Sequence, residues 1–199
     1  MSVKILDLYH GNQVNSFHAI ASEGYAAVIL KATQGATEID PSFSDYLARA
    51  KAAGLIVGAY TYFDPAADPI LQAEHFHNNA PMGAGTLGWW LDVETLKGLR
   101  PSTSIGADAR QCADKLKALT GFYPGLYASD SFYQQYLKPY FPIGDFKLWI
   151  ARYRPQPPDT PCAIWQYSES GSVDGIGGAV DLDVFQGDLT TFKSTLVLP

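Results

Sequence analysis

Charge is scarce in this chain. Only 17% of its 199 residues are charged, against about a quarter in an ordinary soluble protein. The 14 lysines and arginines are outnumbered by 20 acids, for a net charge of −6. They form no basic block, which argues against a nucleic-acid partner. No apolar run reaches the roughly 18 residues that a membrane helix needs, so no membrane partner is expected either. Cysteine is limited to Cys112 and Cys162, without C-x-x-C or metal spacing; the pair reads as buried thiols or one disulfide and fixes no compartment. Histidine is also sparse: of His10, His18, His75 and His77, only His10 falls near a strand end. His75 and His77, two apart on a helix, point in different directions. No metal site and no cofactor are therefore expected. The opening MSVKILDLYHG meets charge and turn residues too early for a signal peptide, which predicts retention in the cell or exit without a cleaved leader.

Apolar residues (47%) and aromatics (13%) are present in quantity, enough for one core and a single domain over 1–199. No linker, low-complexity tract or internal repeat divides the chain. Short runs rich in β-branched and aromatic residues predict strands at 3–9, 26–33, 55–63, 86–94, 122–129, 146–153, 163–168 and 179–185. Helical periodicity predicts helices at 14–23, 42–53, 68–79, 104–119 and 130–137. The alternation implies an α/β fold of five parallel β-α units. It then fails, because 154–162 holds four prolines and cannot form a crossover helix, while 169–178 is turn chemistry, too short for a crossover. Three strands joined by loops should complete an irregular TIM-like barrel, the last strand antiparallel. An open doubly wound sheet is the alternative.

Within this frame the stretch GWWLDVETL (88–96) stands out. Strand side chains alternate between faces, so Trp90, Asp92 and Glu94 share one face and Trp89, Leu91 and Val93 the other. The acids fall at the C-terminal end of their strand, where a β-α barrel gathers its functional groups. Asp7 likewise interrupts an apolar strand, Lys31 ends another, and Tyr60 and Tyr62 share a face near the end of a third. Each buried polar group costs several kcal/mol if unpaired, on the order of 2–7, so one shared cleft explains them together. Asp181 starts its strand and reaches the same mouth only if that strand runs antiparallel. Crowded carboxylates with separated pKa values suit glycoside hydrolysis, one acid protonated to donate and another charged. Glu94, with the longer reach, is the expected general acid, and Trp90 is expected to face the sugar.

The stretches ILDLYHGN, VILKATQG, GAYTYF, WWLDVE, GLYAS, LWIARY, IWQYS and VDLDVF resemble, in order and over nearly the whole chain, the glycoside hydrolase family 25 lysozymes, the Chalaropsis-type muramidases. The resemblance implies an irregular barrel and retaining cleavage of the β-1,4 bond between N-acetylmuramic acid and N-acetylglucosamine. It implies Glu94 as acid/base, with Asp92 assisting at the substrate's 2-acetamido group; a protein nucleophile is the open alternative. Asp7 and Asp181 would shape the charge, and Lys31, Tyr62, Tyr127, Trp149 and Gln166 would line the groove, with Tyr60 and Trp90 beside them. TYFDP (61–65) departs from many relatives, which leaves the local groove contacts open. The implied partner is bacterial peptidoglycan, met by a monomer without a separate wall-binding module. The expected place of action is the wall, reached by secretion or, as in a phage endolysin, by release from the host cytoplasm. Two rival functions are a metal-dependent polysaccharide deacetylase, which a chelator would inhibit, and a non-catalytic glycan-binding module, which would bind walls without clearing them.

Overall fold

A computed structural model describes residues 2–100 and 104–199. Eight strands close into a barrel: β1 (Val3–Leu8), β2 (Tyr25–Gln34), β3 (Ile56–Tyr62), β4 (Trp89–Asp92), β5 (Gly125–Ser129), β6 (Leu148–Ala151), β7 (Ile164–Gly171) and β8 (Val180–Phe185). Neighbours pair in parallel from β1 to β7. β8 closes the ring antiparallel to both β7 and β1, as the short connection before it predicts. The proline-rich stretch forms no helix, yet β6 and β7 remain parallel, joined by an irregular loop. Most strands are a few residues shorter than predicted, while β7 runs on to Gly171.

Outer helices follow the first five strands. α1 (Phe17–Ser22) begins later than position 14 because Ser16 accepts a hydrogen bond from the Ala19 amide as N-cap. Val14 instead joins Gln13 in a two-residue strand against Ile176–Gly177. Glu38–Ile39 forms a second short strand beside β2. α2 (Phe43–Ala52) and α4 (Ile105–Thr120) match their periodic stripes. α3 (Pro69–Asn79) starts at Pro69, with the Asp68 carboxylate capping the Ile70 and Leu71 amides, a favoured start. The predicted helix at 130–137 is one α-turn, α5 (Asp130–Phe132), that widens into a π-turn over Tyr133–Leu137.

Two apolar layers result from strand parity. Leu6, Leu8, Val28, Leu30, Trp89, Leu91 and Val93 face outward under the helices. Ile5, Ile29, Tyr60, Trp90, Trp149 and Ile164 fill the barrel. A sixth helix, α6 (Leu189–Leu196), sends Phe192 and Leu196 into that inner layer. Phe192 meets Phe185 edge-on at 5.5 Å, and Leu198 exchanges backbone bonds with Gly85 and Thr86 just before β4. These contacts lie at the start of the parallel strands, so α6 plugs the barrel floor and leaves the other end as the mouth. Mid-barrel, the Trp90 indole occupies the space beside Gly125, where any Cβ would overlap it, and donates its N–H to the Leu87 carbonyl at 3.1 Å.

Candidate active site

The mouth holds a cleft of about 350 Å³. Its acids come from both ends of the chain. The β1–β8 register sets Asp7 opposite Asp181, which an antiparallel β8 requires. Asp92 is the last residue of β4, paired across the sheet with Tyr62 and Tyr127. Glu94 lies two residues further on the same face and stands exposed at the rim. Asp7 and Asp92 are buried, and Glu94 and Asp181 line the same cleft.

Ten of the eleven residues singled out from the sequence line this cleft: the four acids with Lys31, Tyr60, Tyr62, Tyr127, Trp149 and Gln166. Trp90 does not. It is 1% exposed and sits below the cleft, edge-on to Trp149 at 5.9 Å. Parity places it on the inner face, but two residues deeper than Asp92, so it supports the floor instead of meeting a sugar. The floor itself is Trp149, 4.6 Å from the Tyr127 ring.

Tyr9, which shares the face of Asp7, also lines the cleft, as do Tyr153 and Glu169; none of the three is among the candidate site residues of the sequence. Tyr9 follows β1 and Tyr153 follows β6. Glu169 sits on the part of β7 that outran its prediction. Asp183 was missed as well. It lies directly beneath the cleft, 1% exposed, and parity alone would have found it, two residues along β8 from Asp181 on the same face.

Hydrogen bonds fix these groups. Tyr127 and Tyr153 both donate to Gln166 Oε1, at 2.9 and 2.7 Å. That orients the amide so that its Nε2 donates to Asp7 Oδ2 at 2.9 Å. Trp149 Nε1 donates to Asp183 Oδ1 at 2.7 Å. Lys31 Nζ donates to Gln34 Oε1 at 2.7 Å and stands 5.1 Å over the Tyr62 ring. Two buried oxygens lack a donor among the described residues: Asp92 Oδ1 and Asp183 Oδ2.

Burial and mutual repulsion shift every one of these acids upward. Burial and then the Asp181 charge push Asp7 up to about 7, against hydrogen bonds from Asp183 and Gln166. Burial, then Glu94 and Asp7, raise Asp92 well above the usual carboxylate range, with Lys31 opposing. Glu94 is raised by desolvation and then by Asp181, again against Lys31. Burial and Glu169 raise Asp181. Such crowding lets some carboxyls keep protons at neutral pH while others stay charged. Among the described residues no cluster of histidine, cysteine and carboxylates is arranged to hold a metal. His10 is engaged with Asp40, Nδ1 to Oδ2 at 2.7 Å, and both cysteines are free thiols.

Three further cavities adjoin the cleft, one of about 480 Å³ sharing Tyr153 and Glu169 with it. One of about 570 Å³ shares Tyr62 and includes Asp64 of the divergent TYFDP stretch. One of about 380 Å³ shares Tyr153 and includes Arg152 and Arg154.

Comparison with known proteins identifies the family and the fold. The model of the family "Glycosyl hydrolases family 25" matches residues 6–176. The autolytic lysozyme of Clostridium acetobutylicum is 34% identical over 99% of this chain and 60% of its own length. The chain spans about 60% of the length of the curated relatives that head the comparison. The crystal structure of a bacterial lysozyme from Streptomyces coelicolor superposes with a TM-score of 0.87 at 25% identity, covering 98% of this chain and 96% of that one. A family GH25 lysozyme from Aspergillus fumigatus shares the fold, with a TM-score of 0.86 at 24% identity and full coverage of both chains.

Proposed function

The chain belongs to glycosyl hydrolase family 25, and on that premise we propose that it is a peptidoglycan muramidase. It cleaves the β-1,4 bond between N-acetylmuramic acid and N-acetylglucosamine with retention. The observation that carries the chemistry is the buried Asp92 Oδ1, left without a donor at the edge of an open cleft. A buried carboxylate oxygen needs a partner, and the N–H of a substrate 2-acetamido group is a donor of the right kind.

In the first step the Glu94 carboxyl, raised by desolvation and then by Asp181, gives its proton to the glycosidic oxygen. The acetamido carbonyl oxygen, its N–H held by Asp92, attacks the anomeric carbon as the glycosidic bond breaks. The leaving sugar departs with the Glu94 proton, and a cyclic oxazolinium remains. Glu94, now a carboxylate, takes a proton from water as that water opens the ring on the same face from which the leaving group departed. Two inversions give retention. Asp7 and Asp181 supply negative potential beneath the positive charge at the ring. Tyr62 and Tyr153 offer aromatic edges to the sugars, and the adjoining cavities that share them support a groove longer than one disaccharide. Every acid comes from one chain, so a monomer suffices, and the place of action is the bacterial wall.

The test is clearance of a peptidoglycan suspension, with mass spectrometry of the new reducing ends. Wild type should clear the suspension and release fragments ending in N-acetylmuramic acid. Glu94→Gln should bind walls but lose about 10²- to 10⁴-fold in rate, the usual worth of a positioned general acid. Near-normal clearing by that variant, or reducing ends of N-acetylglucosamine, would overturn the assignment.

A further inference from the structure

We propose that Asp183 is held as a neutral carboxylic acid beneath the cleft, where its hydroxyl donates to Asp7 and positions that carboxylate toward the substrate. The inference rests on the role given to Asp7 above, as a charged group facing the sugar.

The geometry begins with strand register. In the β1–β8 pair Asp7 faces Asp181 and Ile5 faces Asp183. Asp183 is therefore the diagonal neighbour of Asp7 on the inner face, one step deeper, a spacing that long or polar side chains bridge. Its two oxygens differ. Oδ1 accepts from Trp149 Nε1. Oδ2 is buried and meets no N–H or hydroxyl donor among the described residues. Among the described residues no ion pair joins a lysine, arginine or histidine to Asp7 or Asp183. Two carboxylates side by side in an apolar barrel, without a cation, do not both ionise; they share a proton.

Position decides which of them carries it. Asp7 borders the cleft and already accepts from the Gln166 amide, whose orientation two tyrosine hydroxyls fix. Asp183 is enclosed by Trp149 on β6, Gln166 opposite it on β7, and Asp7 on β1. The other titratable groups that interact with it are Asp181 on its own strand and the phenols of Tyr25 and Tyr167, while Tyr60, Tyr127 and Tyr153 surround Asp7. All are neutral or negative, and none stabilises a second charge. The deeper carboxyl keeps the proton, and its O–H fills the gap at Oδ2 by donating to Asp7. Asp7 is then charged, held by two donors, Gln166 from one side and Asp183 from below. Asp183 touches no substrate; it is a positioning residue.

Asn at 183 reproduces the neutral acid, because its carbonyl accepts from Trp149 while its amide donates to Asp7. Asp183→Asn should keep kcat and KM within about threefold of wild type, well under the worth of one charge-assisted bond. Asp183→Leu removes the donor and should lower kcat by about 10- to 100-fold with little change in KM, the worth of one hydrogen bond to a charged group. Asp7→Asn should be far worse than Asp183→Asn. An infrared difference spectrum of wild type minus Asp183→Asn at pH 7 should contain the C=O stretch of a protonated carboxyl that shifts in D2O. That band needs no substrate, so it separates this inference from the muramidase assignment, and it stands even where Asp183→Leu does not fold. Absence of the band, an inactive Asp183→Asn, or a tolerant Asp7→Asn would each overturn the proposal.

Discussion

Gly125 is where packing and function meet, and its replacement by alanine offers a demanding test. In an ordinary strand this change helps slightly, because alanine loses less backbone entropy than glycine. Here a Cβ at 125 would lie 2.7 Å from Trp90 Cδ2 and nearer still to Cε3 and Cζ3, against about 3.5–4.0 Å for relaxed carbon contact. Trp90 has nowhere to go. It is 1% exposed, its N–H is bound to Leu87, and Trp149 stands edge-on at 5.9 Å. Overpacking of this kind costs about 1–3 kcal/mol, and tilting the indole strands a buried N–H for about 1–3 kcal/mol more. A total near 4 kcal/mol corresponds to a fall in Tm of roughly 8–16 °C for a domain of this size. Calorimetry would measure it. Combining Gly125→Ala with Trp90→Leu should recover part of the loss, since the smaller side chain vacates the contested space. A Tm within about 2 °C of wild type, or strict additivity in the double variant, would refute the account of the barrel interior.

Two further outcomes follow from the charges. Lys31 holds Glu94 and Asp92 down, so Lys31→Met should raise Glu94 and carry the alkaline limb of kcat to higher pH; a pH profile that stays put or moves down would contradict this. Asp7, Asp92 and Asp183 have folded pKa values above their unfolded ones, so their contribution to stability is fully present below about pH 4 and is lost as pH rises through the folded values. For Asp7, raised from 3.8 to about 7, that loss is about 4 kcal/mol at roughly 1.4 kcal/mol per unit. Asp40 runs the other way: hydrogen bonds from Ser42 and His10 outweigh its burial and hold it low, so its contribution is lost on acidification. Denaturant midpoints should therefore decline between pH 5 and 9, and a flat or rising series would count against the buried acids.

Strand parity carried most of what could be foreseen. Alternation in GWWLDVE sorted Trp89, Leu91 and Val93 from Trp90, Asp92 and Glu94, and the layers obey that division. The failed alternation after residue 153 implied a barrel with an antiparallel closing strand, which brought Asp181 to the mouth. Parity says which face a residue takes, not how deep it lies, and so Trp90 shares the face of Asp92 yet lies below the cleft. Asp183 is legible by the same rule, two residues beyond Asp181 in VDLDVF. The helix LTTFKSTL was not legible: three threonines and a serine weaken its propensity, and it forms because Phe192 and Leu196 fill the barrel floor. The π-turn at Tyr133–Leu137 follows a widened pattern of hydrogen bonds that no side-chain period announces.

The closing strand has a consequence for how the molecule comes into being. Asp7 enters from β1, and Asp181 and Asp183 from β8, while the Gln166–Asp7 bond joins residues 159 apart in sequence. Contacts of such long range form late, because the entropy of closing the intervening chain must be met first. A partly folded chain, even one with several β-α units in place, holds Asp7, Asp92 and Glu94 without Asp181, Asp183 and Gln166. Regained activity in a refolding experiment should thus lag behind regained helix signal and coincide with barrel closure. By this construction the full set of cleft acids exists only once β1 and β8 have paired.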